Sequence, residues 1–453
     1  MSLFEFCRDF DLRQAPAHTQ AILSNSLLDI AGVLAGAASN DTSKTMRSYA
    51  RLHYPGGVYT SRLMFDGQRV SMLGAAWAGG FSADSLDAHE GHFKSKGHAG
   101  ATVVPALLAL ADALHHNGQD ISGHEFLSAL CIGYETALRA GTALMATSPT
   151  YHASGGFSAM GVVCAGARLL EFDEPTFRHA LGIAEYFSAR CPMMRVVLAP
   201  TMLRDAHGAG AYVGLNALLM AQAGMTGAPA EIVEDPSAAP HWADIGSRWE
   251  IDSQYFKPWP VCRWAQPALT AMLELQRQHP EVSADTLETI RVETFFESMC
   301  LQGHTPRNAD EAQYALAFPL AALIVRGKVG PVEVTGDSIT APDILSLSSR
   351  IEIVEAADIS ARFPDEILSR LTLTLQDGTI IVSPVTAAKG DPHTAMTAAE
   401  LDGKFDLFSS HLGVERSLAV KQAIHSLGQA HSAITTLEPI FSSVEHSEEA
   451  ADR

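Results

Sequence analysis

Residues 103–114 read VVPALLALADAL, an apolar run long enough for about three turns of helix. Pro105 fits a first helical turn, where a backbone N–H has no partner anyway. Outward from this run, residues 126–144, 157–170 and 211–223 are also apolar and rich in alanine. Rows of such small side chains let helices pack closely. The pattern predicts a helical body that extends from about residue 16 to about residue 280.

The pattern changes after Pro280. Residues 286–295 (TLETIRVETF) and 349–354 (SRIEIV) alternate and are β-branched, and residues 376–378 (QDG) separate two apolar runs in the manner of a hairpin. From residue 398 the helical pattern returns, and the acidic tail at 445–453 is expected to fray.

These changes predict a mainly α fold. A large helical domain is built from an N-terminal segment (residues 1–256) and a C-terminal segment (391–453), and residues 257–390 form an inserted α+β lid domain. A cleft between the two domains is the natural place for a site.

Composition limits the class of protein. The 453 residues carry a formal net charge of −20, which disfavours nucleic acid and anionic membranes as partners. Six cysteines lie far apart without a CxxC pair, and the N-terminus offers no signal-peptide core, so a cytoplasmic location is expected. The most apolar long stretch, residues 208–229, is rich in Gly and Ala and reads as a buried helix rather than a membrane span.

The most unusual segment is DAHEGHFKSKGHAG at residues 87–100. Its histidines, acids and lysines suit an acid–base loop that binds a carboxylate beside the start of a helix near Thr102. Two alternatives stay open. The set Asp87, His89, His92 and His98 could ligate a metal, or the segment could be a solvated polar loop.

Three further segments carry candidate residues. His152 lies in YHASGG, and Arg204 opens RDAHGAG, where it reads either as a carboxylate clamp or as half of a surface pair with Asp205. Residues 256–264, FKPWPVCRW, combine Lys257 and Arg263 with aromatic residues and suit either anion binding under a lid or a stiff linker. A nucleophilic Cys262 is a weaker reading, because no Cys–His motif is near it.

Taken in order, DxxxGHxxxxGHxG, YH before a glycine-rich helix, LRDxxGxGA, FKPxPxCRW, AQYALAFPLA and the late GDP…ELDGKF resemble the MmgE/PrpD family. The resemblance implies a helical domain with an inserted lid, a homodimer, and catalysis without metal or organic cofactor. It points to Asp87, His98, His152, Arg204 and Lys257. This chain departs from the family's decarboxylase pattern by having Arg204 for lysine, Cys262 for histidine, Phe318 for tyrosine and Gly91 for threonine.

The expected chemistry is removal of a proton next to a carboxylate. We expect His98 and His152 to act as acid and base, with Asp87 orienting one imidazole. Arg204 and Lys257, aided by His92 and Arg263, would bind the substrate and neutralise the developing charge. The expectation is a cofactor-independent lyase of the hydro-lyase type, acting on a small di- or tricarboxylic acid such as a methylcitrate-like compound. The alternatives are an epimerase or racemase of an iminodisuccinate-like dicarboxylate, and a non-catalytic carboxylate-binding protein.

Overall fold

The structure is a computed structural model that describes residues 1–443. The tail expected to fray, residues 445–453, lies outside the described residues. The prediction of a mainly α protein is confirmed.

The first part of the chain is helical, with two short two-stranded sheets. Its elements are α1 (Leu3–Asp9), α2 (Ala17–Ala37), α3 (Asp41–His53), β1 (Thr60–Arg62), β2 (Arg69–Ser71), α4 (Met72–Asp84), β3 (Gly91–His92), α5 (Gly100–His116), α6 (Gly123–Thr147), α7 (Ser158–Leu169), α8 (Glu174–Phe187), α9 (Met194–Leu198), α10 (His207–Gln222), α11 (Glu231–Glu234) and β4 (Gln254–Tyr255).

Small residues let the central helices of this body approach closely. A Cβ added at Gly161 on α7 would lie 2.3 Å from the carbonyl oxygen of Gly133 on α6. The expected close packing of small-residue helices is therefore present. One boundary differs from the expectation, because α5 starts at Gly100 and not near Thr102. Pro105 accordingly lies inside the helix, where its missing N–H removes one backbone hydrogen bond.

The second part mixes helices with one larger sheet. Its elements are α12 (Gln266–Gln278), β5 (Leu287–Thr294), α13 (Ala309–Gln313), α14 (Ala317–Arg326), α15 (Pro342–Ser348), β6 (Ile351–Glu355), α16 (Ala357–Ser360), β7 (Leu368–Leu375), β8 (Ile380–Val382), β9 (Thr386–Ala387), α17 (Ala398–Ser409), α18 (Val414–Ser426), α19 (Ala433–Thr436) and α20 (Glu438–Phe441).

The sheet has the strand order β6-β5-β7-β8, and β9 also pairs with β7. Strand β5 runs parallel to β6 and antiparallel to β7. The predicted hairpin is present between β7 and β8, with Thr374 opposite Ile380 and Gly378 at φ +86° in the turn. Asp-Gly supplies the left-handed conformation that such a turn needs.

The buried side chains form two main hydrophobic cores. The first core holds residues from α1 to Ile251 and takes in Phe405 and Phe441 from the end of the described chain. The second core lies mostly in residues 259–381. A buried ion pair between Lys404 and Asp29, with 2.6 Å between nitrogen and oxygen, ties the returning chain to α2. The domain boundaries at residues 256 and 390 stay a prediction.

One helix of residues 1–443, Ala17–Ala37, is long and apolar enough to cross a membrane by length and composition. Within the protein, 72% of its apolar window is buried, as in the core helix of a globular domain. The stretch at 208–229 that stood out in the sequence forms α10, which ends at Gln222 and is buried along one side.

Candidate functional site

A cavity of about 260 Å³ lies between the histidine-rich loop and the second hydrophobic core, which supplies most of its apolar lining. Five of the residues predicted from sequence line it, namely Asp87, His92, His98, Lys257 and Arg263. The wall is built from seven chain segments, at residues 87–98, 151, 193–205, 255–264, 297, 314 and 363–367. The convergence of distant cationic, acidic and imidazole groups makes this cavity the candidate active site.

The histidine-rich loop is held in place by short strand pairing. In β3, Gly91 lies opposite Tyr255 of β4, and His92 lies opposite Gln254. His92 also donates its backbone N–H to the carbonyl of Gly97 at 2.9 Å. This tight turn places His98 beside the segment that leads to Lys257.

His98 presents a free ring nitrogen to the cavity. Its Nδ1 lies 2.5 Å from the backbone carbonyl of Glu90, which can only accept, so Nδ1 carries the proton. Nε2 is then the unprotonated nitrogen, and it lies 3.6 Å from Oδ2 of Asp205. Burial, with the positive charge of Lys257, holds the pKa of His98 well below its usual value. The imidazole is therefore a neutral base.

Asp205 is a cavity residue that sequence reasoning read only as half of a surface pair. Its side chain is 4% exposed, and Oδ2 accepts a hydrogen bond from Ser154 Oγ at 3.1 Å. Oδ1 is buried and has no hydrogen-bond partner within residues 1–443. Burial and the neighbouring Asp87 raise the pKa of Asp205 to about 6.

The backbone around Asp205 is strained. Arg204 (φ +42°) and Ala206 (φ +58°) both lie in the left-handed region, which costs a non-glycine residue about 1–2 kcal/mol. Two such residues on either side of one carboxyl group fix its direction, and strain of this kind clusters at functional sites. The only sequence signal was an acid immediately before a small-residue helix.

Lys257 is paired with Asp87 at the cavity wall. Its Nζ lies 2.7 Å from Asp87 Oδ1 and 2.9 Å from the Asp87 carbonyl oxygen, and both residues are buried. An ammonium group has three donors, so these two bonds leave one N–H for a ligand. Asp87 thus fixes the position of Lys257, and no hydrogen bond joins its carboxylate to an imidazole within residues 1–443.

The other two predicted lining residues have partners of their own. Arg263 forms an ion pair with Asp391 and lies over the ring of Tyr255, with 4.3 Å from Cζ to the ring centroid. His92 Nδ1 accepts from the Ser95 backbone N–H at 3.2 Å.

Arg204 and His152 are not among the described residues that line the cavity. The guanidinium of Arg204 is buried and bonds Gln313 at 2.7 Å and Asp310 at 2.5 Å. His152 Nε2 lies 3.3 Å from Ser148 Oγ, and its neighbour Tyr151 takes the place on the cavity wall. The reading of Arg204 and Asp205 as a surface pair does not hold, since both are buried and neither is paired with the other.

Two of the residues that depart from the family pattern, Gly91 and Cys262, lie at or beside the cavity. A Cβ at Gly91 would lie 2.3 Å from Tyr255 Oη and 2.7 Å from His98 Nδ1, so the tyrosine hydroxyl fills the space of a larger side chain. Cys262 lines the cavity, and burial raises the pKa of its thiol to about 12. That thiol stays protonated near neutral pH, which argues against a nucleophilic Cys262.

A buried cluster behind His98 contains Asp84, His89 and His207, whose ligand atoms lie within 4.8 Å of one another. It shares only His89 with the metal set that the sequence suggested. The ring of His89 stacks edge-on against His98 and His207 at centroid distances of 4.3 Å and 5.0 Å. Burial lowers the pKa of His207 to about 3 and raises that of Asp84 well above its usual value, so burial disfavours the charged form of both groups.

Two family models and several known proteins are similar to this chain. The family model described as the MmgE/PrpD N-terminal domain matches residues 1–251, and the one described as the MmgE/PrpD C-terminal domain matches residues 259–427. The chain is 21% identical over 359 residues to a cis-aconitate decarboxylase of Aspergillus terreus, covering 73% of each chain. It is 23% identical over 393 residues to the cis-aconitate decarboxylase-like protein oryM of Aspergillus oryzae, covering 80% of each.

Proposed function

Because the chain belongs to the MmgE/PrpD family, we propose that it is a cofactor-independent lyase that removes the proton next to the carboxylate of a small carboxylic acid. The names of its relatives favour an enzyme of the dehydratase or decarboxylase type. The single observation that carries the proposal is the tautomer of His98, which leaves Nε2 unprotonated in the cavity wall.

The first step needs a base and a positive charge. His98 Nε2 takes the proton from the carbon next to the carboxylate, and the electron pair moves toward that carboxylate. The remaining N–H of Lys257 and the ammonium of Lys96 would hold the carboxylate oxygens where the charge develops. One donor placed in this way lowers the activation barrier by roughly 3 kcal/mol in a water-poor site.

The second step needs an acid, and Asp205 suits it. In its protonated form it gives its proton to the departing hydroxyl group, the carbon–oxygen bond breaks, and water leaves with formation of a carbon–carbon double bond. The site then holds a protonated His98 and an ionised Asp205. Transfer of one proton from Nε2 to Oδ2, atoms 3.6 Å apart, restores the starting state.

His98 and Asp205 replace the pair of histidines expected from sequence, because His152 is not among the described lining residues. The base and the acid lie side by side on one wall. This arrangement favours removal of both groups from the same face of the substrate, a syn elimination. Inversion of a carbon centre needs a base and an acid on opposite faces, so the geometry favours the lyase over the epimerase or racemase alternative.

Decarboxylation is the second candidate, on the strength of the relatives' names. It would use the same cations, with Asp205 or a protonated His98 delivering a proton to the carbanion after carbon dioxide leaves. Gly91, Cys262 and Phe318 lack the hydroxyl and imidazole groups of the family's decarboxylase pattern. Dehydration is therefore the preferred proposal, and decarboxylation is the alternative.

The decisive experiment follows candidate acids in D₂O by proton NMR. Loss of the α-proton signal with alkene formation supports dehydration, carbon dioxide release supports decarboxylation, and exchange with inversion supports the epimerase. His98→Asn should abolish exchange, while His116→Asn, at the exposed end of α5, serves as the matched control. Binding of an acid without any exchange would leave only the non-catalytic carboxylate-binding protein.

A further inference from the structure

The cations around the cavity are almost all neutralised by the protein itself. Lys257 is paired with Asp87, and Arg263 with Asp391. The third predicted clamp, Arg204, is bound to Asp310. Separating such buried pairs to admit a substrate carboxylate would leave a buried carboxylate without a partner, which is strongly unfavourable.

Lys96 is the exception among the lining residues that the structure describes. It is exposed, forms no ion pair within residues 1–443, and places its ammonium 5.7 Å from the centroid of the Tyr151 ring. With the one spare donor of Lys257, it supplies unpaired positive charge for a single carboxylate. Glu297 also lines the cavity and would repel a second one.

Much of the remaining wall is apolar, beside the tyrosines Tyr151, Tyr255 and Tyr314. Met193, Met194 and Val197 come from α9 and the residue before it, and Trp264, Phe363 and Ile367 come from the second core and its rim. A carboxylate placed against the methionine, valine, phenylalanine and isoleucine side chains would lose its water without gaining a donor. An alkyl or aryl group placed there would gain from leaving water.

Resting on the proposed function, we propose that the substrate is a carboxylic acid with one carboxylate at Lys257 and Lys96 and a short alkyl or aryl arm against the α9 wall. This proposal replaces the di- or tricarboxylate expected from sequence with a monocarboxylate. That expectation depended on Arg204 and Lys257 acting together, and Arg204 is outside the described lining.

The test measures binding of unreactive acids, so that it does not depend on catalysis. Butanoate, hexanoate and octanoate vary the arm, and adipate and propane-1,2,3-tricarboxylate add charge. By calorimetry, hexanoate should bind about fifteenfold more tightly than butanoate, because its two additional methylene groups contribute about fourfold each. Adipate, which matches hexanoate in length, should bind at least about tenfold more weakly than hexanoate, because its second carboxylate is desolvated without a partner.

A variant reverses the preference. Met194→Arg adds a cation on the half-buried part of the wall, and it should weaken hexanoate and tighten adipate, each by about tenfold. Met225→Arg makes the same change at an exposed position outside the cavity and should alter neither. Circular dichroism of both variants checks that they fold. The binding series with the wild-type protein tests the proposal even if a variant does not fold.

The outcomes separate the two proposals. Tighter binding of adipate or the tricarboxylate than of hexanoate, no dependence on chain length, or no binding of any of these acids would each overturn the inferred substrate class. If hexanoate binds as expected but His98-dependent exchange is absent for every acid with an alkyl or aryl arm, the lyase proposal fails and the binding preference stands.

Discussion

Two carboxyl groups in the cavity wall have different surroundings. Asp87 accepts two hydrogen bonds from the ammonium group of Lys257, one at its carboxylate and one at its backbone carbonyl oxygen. Asp205 has only the hydroxyl of Ser154 and an unpartnered second oxygen within residues 1–443. An ion pair favours a carboxylate and burial favours a carboxylic acid. The two acids are thus suited to different tasks, Asp87 to positioning and Asp205 to proton donation.

Asp205 gives a prediction for pH dependence. Burial raises its pKa from 3.8 to about 6, so the proton-donating form is present below that pH and is lost as the pH rises through it. We expect kcat/KM to fall as the pH rises above about 6. Asp205→Asn should lower kcat by about a hundredfold and remove this limb.

The control for Asp205 is Asp235→Asn, which changes an exposed acid. It should keep both the wild-type rate and the alkaline limb. An Asp205→Asn enzyme that keeps the limb would show that another group is the proton donor.

Gly91 is a residue whose identity the tertiary contacts dictate. A Cβ there would come within 2.3 Å of Tyr255 Oη, so Gly91→Ala must displace Tyr255 or the β3–β4 pairing. We expect a loss of about 1–3 kcal/mol in the free energy of unfolding and a lower kcat, because His98 lies beside the same position. Urea unfolding measures the first quantity.

Gly403→Ala on α17 is the matched control, since nothing lies within 4 Å of its added Cβ. Alanine should be neutral or slightly stabilising there. Equal stability of the two alanine variants would show that Tyr255 moves aside without cost.

At the scale of elements, the start of α5 depends on a buried acid. Glu90 Oε1 accepts the backbone N–H of Gly100 at 2.8 Å, in place of a capping side chain from Ala99. Burial and the nearby Asp29 raise the pKa of Glu90 from 4.5 to about 8. The same residue also offers its carbonyl oxygen to His98, so the cap and the base are held by one residue.

This cap predicts how stability changes with pH. Between pH 4.5 and 8 the unfolded chain ionises Glu90 and the folded chain does not, so the contribution of Glu90 to stability is present at low pH and is lost as the pH rises. Its full size is on the order of 5 kcal/mol. Glu90→Gln, which keeps an acceptor for Gly100, should flatten this part of the profile, as measured by chemical unfolding at several pH values.

Glu288→Gln, at an exposed position on β5, is the control and should leave the profile unchanged. A Glu90→Gln profile parallel to that of the wild type would mean that Glu90 titrates equally in the folded and unfolded states.

The cluster of Asp84, His89 and His207 joins α4, the histidine-rich loop and α10. We predict that dialysis against a chelator leaves activity unchanged, because a neutral His98 and the donors of Lys257 already supply the base and the positive charge. Elemental analysis of the purified protein checks the metal content. About one zinc or iron per chain, with activity lost on its removal, would replace the proposed mechanism by Lewis-acid catalysis.

At the scale of the whole molecule, residues 186–203 expose an unusual number of large apolar side chains. Tyr186 is 79% exposed, and Phe187, Leu198 and Leu203 are each more than half exposed. Solvent-exposed apolar groups gathered in one segment mark an interaction surface. The same segment carries Met193, Met194 and Val197 on the cavity wall, so a partner seated there would also support the site.

We predict that this surface is part of the homodimer expected from the family resemblance. Light scattering during gel filtration should give a dimer for the wild type and a monomer for Tyr186→Glu. Leu52→Glu, at another strongly exposed apolar position on α3, should remain dimeric. A monomeric wild type would exclude the dimer, and a dimeric Tyr186→Glu would place the interface elsewhere.

Local patterns along the chain were enough to predict the main helices and strands and much of the site. The apolar patterns predicted a helix at residues 103–114 and a strand at residues 286–295, and the structure has both. Such predictions are possible because helical hydrogen bonds and side-chain periodicities are local along the chain. The QDG turn likewise fixed the hairpin of β7 and β8. Five of the seven predicted site residues reached one cavity, because unusual charges placed in apolar surroundings stand out without any knowledge of the fold.

Which of these charges are free to act depends on contacts between residues that are far apart in the sequence. Arg204 is bound by Asp310, 106 positions further along the chain, and Arg263 by Asp391, 128 positions further. Asp205 became an acid of the cavity through its burial beside Asp87 and its approach to His98. A carboxyl group or a cation has the same local sequence whether it is paired or not, because its pKa and its partners depend on what the fold brings within a few ångströms.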